Sequence, residues 1–236
     1  MELIQTNLVS TDKDYQLENI SGLTWLPWVG SNYFNAKYRV LIAGESHYCI
    51  GDNIEDEIEG TKNNKYFTRE IVLKDPIGRK YNAMFENLHR CLFQTIDINR
   101  EKLWRHVAFY NFVQRPMKGT KDRPHRQDML SGWPVFAELV KVLRPTHCIF
   151  VGVKAADSFN ISMINMGVTY TPVKILNIEN SKKRAKEYSL KLNDYDLSCL
   201  AIQHTSHHFS WQTWHSFLQM YDEELLSYLN ELSRHN

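Results

Sequence analysis

Polar residues capable of acid–base chemistry follow several apolar runs of this chain, at the point where each run ends. These clusters are Gly44-Glu45-Ser46-His47-Tyr48, Asn111, Gly152-Val153-Lys154 and His204-Thr205-Ser206-His207. Carboxylate, hydroxyl, carboxamide and imidazole side chains can donate or accept hydrogen bonds, and some of them can transfer protons. Because the clusters share one position relative to the runs, they indicate a single composite site.

The runs that precede these clusters are short, β-rich and almost continuously apolar. They cover residues 38–43, 106–110, 147–151 and 197–202, and a weaker run covers 173–176. Such runs predict strands that are buried on both faces. Helical patterns cover 82–94, 134–143 (with Pro134 in the first turn), 154–163 and 214–232. Because strands alternate with helices, we predict an α/β fold: a three-layer α/β/α sandwich with a central, mostly parallel four-stranded sheet.

In a parallel sheet the strands end at one edge, and ligands bind beyond that edge. The four polar clusters are therefore expected to lie together. No linker or internal repeat divides the chain. We expect a single domain over residues 1–236, in which residues 1–36 form an N-terminal capping segment.

Composition excludes several classes of protein. The chain has 236 residues, of which 43% are hydrophobic and 23% charged, as in an average soluble globular protein. Lys and Arg number 28 against 27 Asp and Glu, so the overall charge does not favour nucleic acid. No apolar run approaches the roughly 18 residues of a membrane helix, and we recognise no signal peptide. Four separated cysteines predict reduced, mostly structural thiols, so we expect a cytoplasmic protein with no membrane partner.

The ordered clusters resemble the motifs of the uracil-DNA glycosylase superfamily. The first family motif reads G-Q-D-P-Y-H, or G-E-A-P-G in the thermophilic iron–sulfur branch, and it is similar to residues 44–48 here. Later family motifs are P-F-V-G-R-A-G, an Asn followed by R-P, L-x-P, G-x-x-A and H-P-S-P. In the same order, this chain has residues 76–81, Asn111 with Arg115-Pro116, residues 143–145, residues 152–155 and residues 204–207. The resemblance extends from about residue 38 to residue 215 and implies a DNA glycosylase of that fold.

This chain departs from the family at several positions. The catalytic Asp of the first motif falls on Ser46, and the Phe that stacks on the base falls on Ile77. Phe67 or Tyr81 would have to replace that ring. Both prolines of H-P-S-P are absent, and the cysteines do not form an iron–sulfur set. The resemblance therefore implies a divergent member whose base is not fixed as uracil, and which needs neither metal nor cofactor.

The resemblance implies roles for the residues at these motifs. Cleavage of an N-glycosidic bond needs donors for the departing base and a positioned water. His204 is the candidate that stabilises the leaving base, while Glu45 and Ser46 are the candidates that position water. Structural alternatives are a hydrogen-bonded strand terminus for His204 and a helix cap or loop salt bridge for Glu45. The substrate-binding candidates are Gly44, His47, Tyr48, Asn111 and Ser206.

Two of these candidates have specific expected contacts. Asn111 offers both a donor and an acceptor, which reading a base edge requires, although an Asn that ends a strand or caps a turn is also common. Tyr48 matches the family Tyr beside pyrimidine C5, and the alternative is an aromatic residue of the core or rim.

A basic segment, residues 115–126, follows Asn111. Five basic residues and one acidic residue give it a charge of 5 − 1 = +4. Such a segment is usually a solvated loop, but beside the predicted pocket it favours contacts with the phosphates of single- or double-stranded DNA. His207, His208 and Phe209 lie where the family inserts a wedge into the duplex, and Phe209 is also a candidate core residue. The predicted DNA-binding residues are Arg115, Lys118, Lys121, Arg123, Arg126, His207 and His208.

Other functions remain open at this point. A serine hydrolase with Ser46 as nucleophile is disfavoured because Tyr48 replaces the last Gly of G-x-S-x-G. The spacing of His204, His207 and His208 resembles metal ligands, but no matching cysteine or carboxylate accompanies it. A non-catalytic nucleic-acid-binding module, or a glycosylase that acts on modified phage DNA in antiviral defence, fits the divergent motifs. We expect a monomer with water as co-substrate, and we expect acidic residues 52–59 to form a solvated loop.

Overall fold

The fold is α/β, with one large mixed sheet. A computed structural model describes residues 7–119, 121–192, 194–206 and 208–235. These residues form the strands β1 (Trp28–Val29), β2 (Val40–Gly44), β3 (Tyr48–Cys49), β4 (Val107–Asn111), β5 (Met117–Lys118), β6 (His147–Val151), β7 (Tyr170–Asn177), β8 (Arg184–Leu192) and β9 (Tyr195–Ile202). The seven-stranded sheet has the order β1-β4-β2-β6-β9-β8-β7, and β3 pairs with β5 in a separate two-stranded sheet.

The four middle strands of the large sheet, β4, β2, β6 and β9, run parallel to one another. These are the four strands that the apolar runs predict. The predicted total of four is wrong, because β1 adds to one edge and the antiparallel strands β8 and β7 add to the other. β8 was missed because its buried residues Ala185, Tyr188 and Leu190 alternate with polar ones instead of forming a continuous run. β7 includes the weaker run and lies mostly exposed at the edge.

Helices cover both faces of the sheet. They are α1 (Asp14–Glu18), α2 (Ile54–Asn63), α3 (Phe67–Val72), α4 (Ala83–Phe93), α5 (Arg100–Trp104), α6 (Arg126–Leu143), α7 (Phe159–Met166), α8 (Trp211–Tyr221) and α9 (Glu223–Ser233). On one face, Trp133 and Phe136 of α6 pack against Phe150 of β6. On the other face, α4, α5, α8 and α9 bury the alternate side chains of the same strands, such as Ile42 and Ile149. This two-sided burial explains why the middle strands are apolar throughout.

Three predicted helices differ from the structure. α6 begins at Arg126 rather than at Pro134, because the Asp128 carboxylate accepts a hydrogen bond from the His125 N–H and caps the helix upstream. The predicted helix 214–232 is two helices, since Asp222 ends α8 and its side chain caps α9 by accepting from the Leu225 N–H at 3.0 Å. The pattern at 154–163 is a 3₁₀ turn, Ala155–Ser158, followed by α7.

The acidic residues 52–59 do not form the expected solvated loop. Most of them lie in α2, whose first turn carries Glu55, Asp56 and Glu57. Acidic side chains stabilise the first turn because the backbone N–H groups there are unpaired and the helix dipole is positive. The helix was not predicted because charged residues dominate this segment.

The N-terminal residues from 7 to 36 pack into the same hydrophobic core. Trp28 is fully buried in β1, and its indole N–H donates to the Trp104 carbonyl at 2.8 Å. All four cysteines are buried free thiols, as predicted. In the described part of the chain, no helix has the length and apolar character needed to span a membrane.

Candidate functional site

The polar clusters meet at the carboxyl edge of the four parallel strands. Gly44 at the end of β2 lies opposite Asn111 at the end of β4, and Val151 of β6 lies opposite Ile202 of β9. The β3–β5 pair then joins the segment after Gly44 to the segment after Asn111. The parallel register therefore brings together residues that lie far apart in the sequence.

His47 and Asn111 form a buried polar layer beneath this edge. The Asn111 Nδ2 atom lies 3.2 Å from Nδ1 and 3.1 Å from Nε2 of His47, and His47 Nε2 lies 2.9 Å from the Thr68 hydroxyl. Burial lowers the pKa of His47 from 6.5 to about 3, so its imidazole is neutral at pH 7. A neutral ring can accept one hydrogen bond from Asn111 and donate one to Thr68.

This layer changes the expected role of Asn111. The side-chain N–H group predicted to read a base edge is engaged with His47. Its Oδ1 atom lies so close to Gly44 that a Cβ at that position would overlap it. Gly44 is thus required by the close approach of the Asn111 side chain, and His47 holds that side chain in place.

His204 lies half-buried just beyond the end of β9. Its Nδ1 atom accepts a hydrogen bond from the Ser206 backbone N–H at 3.3 Å and lies 2.9 Å from the Ser206 hydroxyl. A neutral imidazole that accepts at Nδ1 carries its proton on Nε2. Burial lowers the pKa of His204, with Glu45 acting to raise it and Arg123 to lower it. The ring is therefore a neutral Nε2–H donor with Glu45 and Arg123 as charged neighbours.

The loop that carries His204 and Ser206 is attached to the start of α4. The Thr205 hydroxyl donates to the Met84 carbonyl at 2.8 Å. The Asn87 amide donates to the Thr205 carbonyl at 2.8 Å and to the Ser206 carbonyl at 3.1 Å. These bonds attach the loop to α4 and so orient the imidazole of His204.

Glu45 belongs to a hydrogen-bonded chain of three side chains. Arg123 Nη1 donates to the Tyr48 hydroxyl at 3.2 Å, and that hydroxyl donates to Glu45 Oε2 at 3.1 Å. Tyr48 is thus tied to Glu45 instead of serving only as an aromatic wall. Burial and the neighbouring carboxylate raise the pKa of Tyr48, so it stays a hydrogen-bond donor at neutral pH. The contact of Arg123 was not predicted, because it depends on the path of the loop.

Ser46 is hydrogen bonded to Arg115, and Arg115 also forms ion pairs with two carboxylates. The Ser46 hydroxyl donates to the Arg115 carbonyl at 2.8 Å, instead of to an imidazole as a serine nucleophile would. The Arg115 guanidinium bonds to Asp128 at 2.8 Å and to Asp122 at 3.1 Å. These ion pairs hold the basic segment against α6. The Lys and Arg side chains of the segment that remain exposed to solvent are Lys118, Lys121, Arg123 and Arg126.

The two wedge candidates that the structure describes have different environments. Phe209 is a core residue, since its ring is buried and stacks on Trp214 with centroids 6.0 Å apart. His208 is exposed and has a positive φ of 60°, so it lies at a sharp turn of the chain. His207 lies outside the described residues.

A small cavity lies between the ends of β2 and β6. It is lined by Gly44, Glu45, Gly152 and the side chains of Met129 and Lys154, among others, and its volume is about 10 Å³. That is room for roughly one water molecule, far below the roughly 300 Å³ or more of a typical ligand pocket. Lys154 belongs to the polar cluster that was expected at this edge, whereas Met129 was not predicted here because it belongs to no motif.

Two aromatic rings were expected to substitute for the family's stacking Phe. Phe67 lies edge-on against His47, with ring centroids 4.8 Å apart, and so belongs to the buried layer. Tyr81 is 76% exposed just before α4, the helix to which the His204 loop is attached. Of the two, Tyr81 has the free ring surface.

The site contains no evident metal centre within the part of the chain that the structure describes, where no group of three or more His, Cys, Asp or Glu could hold an ion. In comparisons with known proteins, no family model and no curated protein sequence matches this chain.

Proposed function

We propose that this protein is a DNA glycosylase that hydrolyses the N-glycosidic bond of an extruded uracil or modified pyrimidine. The observation that carries the proposal is the hydrogen bond that His204 Nδ1 accepts from the Ser206 N–H, which leaves the Nε2–H as a donor at the same edge of the sheet as Glu45. The ordered motifs that resemble the uracil-DNA glycosylase superfamily support the same activity and a related fold. We propose that it acts as a monomer in the cytoplasm.

In the proposed reaction, the C1′–N bond breaks and its electron pair leaves with the base. The His204 Nε2–H donates a hydrogen bond to the pyrimidine oxygen that gains negative charge. Glu45 faces the cationic sugar and holds the water whose oxygen forms the new bond to C1′, and the proton released by that water neutralises the base. A neutral imidazole suits this role, because a preorganised donor stabilises charge that develops in the transition state.

The neighbouring residues orient these two groups. Arg123 and Tyr48 hold one carboxylate oxygen of Glu45, which leaves the other free for water. The buried His47–Asn111 layer supports the loop that carries Glu45 from below. Ser46 has its hydroxyl hydrogen bonded to Arg115, so we assign the water to Glu45.

DNA would follow the exposed basic side chains of the segment after Asn111. Lys118, Lys121 and Arg126 are free to contact phosphates, whereas Arg115 is held by two carboxylates. The cavity of about 10 Å³ is too small for a base, so binding requires the residues that line it to move apart. Flipping a base into such a site costs a few kcal/mol, which phosphate contacts would offset.

The proposal is tested by incubating the protein with single- and double-stranded DNA that contains uracil, hypoxanthine, methylcytosine or hydroxymethylcytosine, and measuring the released base. We expect release from at least one pyrimidine substrate, and a loss of about 100- to 1,000-fold for His204→Ala, as for other preorganised donors. We expect Glu45→Gln to be severely impaired and Ser46→Ala mildly impaired. His235→Ala and Glu138→Gln, at exposed positions, are the matched controls.

Unchanged turnover in folded His204→Ala would remove that residue from the mechanism, and the reverse ranking of Glu45 and Ser46 would reverse their roles. Release only from hydroxymethylcytosine would favour a defence function against modified phage DNA.

A second candidate is a non-catalytic nucleic-acid-binding module of the same fold. The small cavity and the engaged Ser46 hydroxyl favour it, since neither is arranged for a bound base. In that case DNA binding persists, but no DNA of the panel develops alkali-sensitive abasic sites.

A further inference from the structure

A cavity lies at the amino-terminal ends of β6 and β9, at the edge of the sheet opposite the candidate site. Its volume is about 290 Å³, close to the roughly 300 Å³ at which ligand pockets begin. Its floor is formed by strands β6, β8 and β9, and its roof by the corner between α8 and α9 at Asp222. The corner between the two C-terminal helices thus closes one side of this cavity.

The interior of the cavity is apolar. Ile149 and Leu200 lie on the floor, and Leu218, Leu225 and Leu226 lie in the roof. Each of these side chains keeps between 4% and 7% of its surface accessible, although all five belong to the core cluster of this face. Apolar surface of this kind is stabilised by contact with an apolar body rather than with water.

The rim of the cavity is polar and acidic. Ser198 is exposed even though it lies on an inner strand, because the cavity opens above it. The Tyr221 hydroxyl donates to Glu187 Oε1 at 2.6 Å. Asp222 uses Oδ1 to cap α9, and its Oδ2 lies 3.4 Å from His147 Nε2. Each carboxylate thus uses one oxygen to accept a hydrogen bond from a neutral donor.

Lys174 lies opposite Glu187 in the pairing of β7 with β8, but it does not line the cavity. Among the described residues that line the cavity, none is Lys or Arg. Burial lowers the pKa of His147, so its imidazole is neutral at pH 7. Besides burial, the hydrogen-bonded Glu187 raises the pKa of Tyr221, and the charge of Asp222 adds to this shift. The rim therefore favours a cation.

We propose that this cavity is a binding site for a small organic cation, with a primary ammonium or guanidinium group at Glu187 and Asp222 and a compact apolar body among the leucines. The site is separate from the carboxyl edge of the sheet, so the proposal does not rest on glycosylase activity. Charge-assisted hydrogen bonds supply the selectivity, and burial of the apolar body supplies the remaining affinity.

The test is a titration of methyl-labelled protein, followed by NMR, with benzylammonium, cyclohexylammonium and butylguanidinium as probes. We expect saturable shifts at the methyl groups of Leu218, Leu225 and Leu226. Benzyl alcohol, the neutral match of benzylammonium, is expected to bind at least about tenfold more weakly, because it forms no charge-assisted bond.

Variants locate the site and test its charge. Glu187→Gln can still accept from Tyr221, and Asp222→Asn can still cap α9, so both are expected to fold while together weakening benzylammonium binding by at least about tenfold. Ser198→Phe would fill the cavity from its exposed floor and abolish binding. Glu231→Gln, an exposed carboxylate on α9 outside the lining, is the control.

Three results would overturn the proposal. The first is equal binding of benzyl alcohol and benzylammonium, and the second is unchanged binding in the doubly neutralised variant. The third is the absence of saturable shifts with all three cations, which would leave a cavity filled by water only.

Discussion

Two buried histidines, His47 and His89, are expected to make folding stability fall steeply as the pH drops below neutrality. His47 is 6% exposed and His89 is 0% exposed. Burial lowers the pKa of each from 6.5 to about 3, and the positive charge of Arg100 adds to the effect at His89. The unfolded chain therefore takes up protons at these residues from about pH 6.5 downwards, whereas the folded protein takes them up only near pH 3.

The sign and size follow from this difference in proton uptake. The stability contributed by the neutral, buried rings is complete above about pH 6.5 and is lost progressively as the pH falls toward 3. With 1.36 kcal/mol per pKa unit, the loss between pH 7 and pH 5 is about 2 kcal/mol for each histidine, or about 4 kcal/mol for both. That is a large share of the roughly 5–15 kcal/mol by which domains are stable.

The assay is urea unfolding at pH 7 and pH 5, followed by the fluorescence of the buried tryptophans. His47→Gln and His89→Gln are each expected to reduce the difference in the free energy of unfolding between the two pH values by about 2 kcal/mol. At position 89, Gln can still accept the hydrogen bond that Trp104 Nε1 donates to His89 Nε2 at 3.3 Å. His208→Gln, at an exposed position, is expected to keep the wild-type difference.

The comparison uses the difference between pH values, so a general loss of stability in a variant does not affect it. If both buried-site variants keep the full wild-type pH dependence, the rings are not neutral and buried as argued.

Two further predictions concern the basic segment and the buried ion pair. When Lys118, Lys121 and Arg126 are all changed to Gln, the slope of log affinity for DNA against log salt should fall by up to about 2.7, because each phosphate contact contributes about 0.9 to the slope. An unchanged slope would exclude these side chains from phosphate binding. Arg100 and Glu86 form an ion pair of 2.8 Å with side chains only 5% and 7% exposed. Glu86→Ala should therefore lower the free energy of unfolding, measured in urea, by about 3–5 kcal/mol. The double variant Arg100→Met with Glu86→Leu should recover most of that loss. Equal losses in both variants would contradict this reasoning.

The sequence predicted the parallel centre of the fold because burial on both faces requires apolar residues at every position. It missed β8, where polar and apolar residues alternate, and it missed the break at Asp222, because the apolar period continues through the corner. Local hydrogen bonds decide where helices begin. For example, the bond from the His125 N–H to the Asp128 carboxylate sets the start of α6. Patterns of hydrophobicity do not record such bonds.

At the candidate site, the sequence predicted which clusters lie at the carboxyl edge, but not how their side chains are bonded. The sequence predicts that Arg115 is free to bind phosphate, but in the structure it is paired with Asp122 and Asp128. The sequence predicts that the Asn111 amide contacts a base, but in the structure its Nδ2 atom is hydrogen bonded to His47. The Nε2–H form of His204 depends on the geometry of the two residues that follow it.

The sequence by itself determined the four central strands and their order along the chain, the apolar centre of the sheet and the types of polar residue available at its edge, because these follow from local composition and period. Only the tertiary structure decided which of those polar groups are free, how small the space between β2 and β6 is, and that a larger space exists beneath the α8–α9 corner. The reason is that hydrogen bonding and cavity volume depend on distances between segments remote in the chain, which local sequence does not specify.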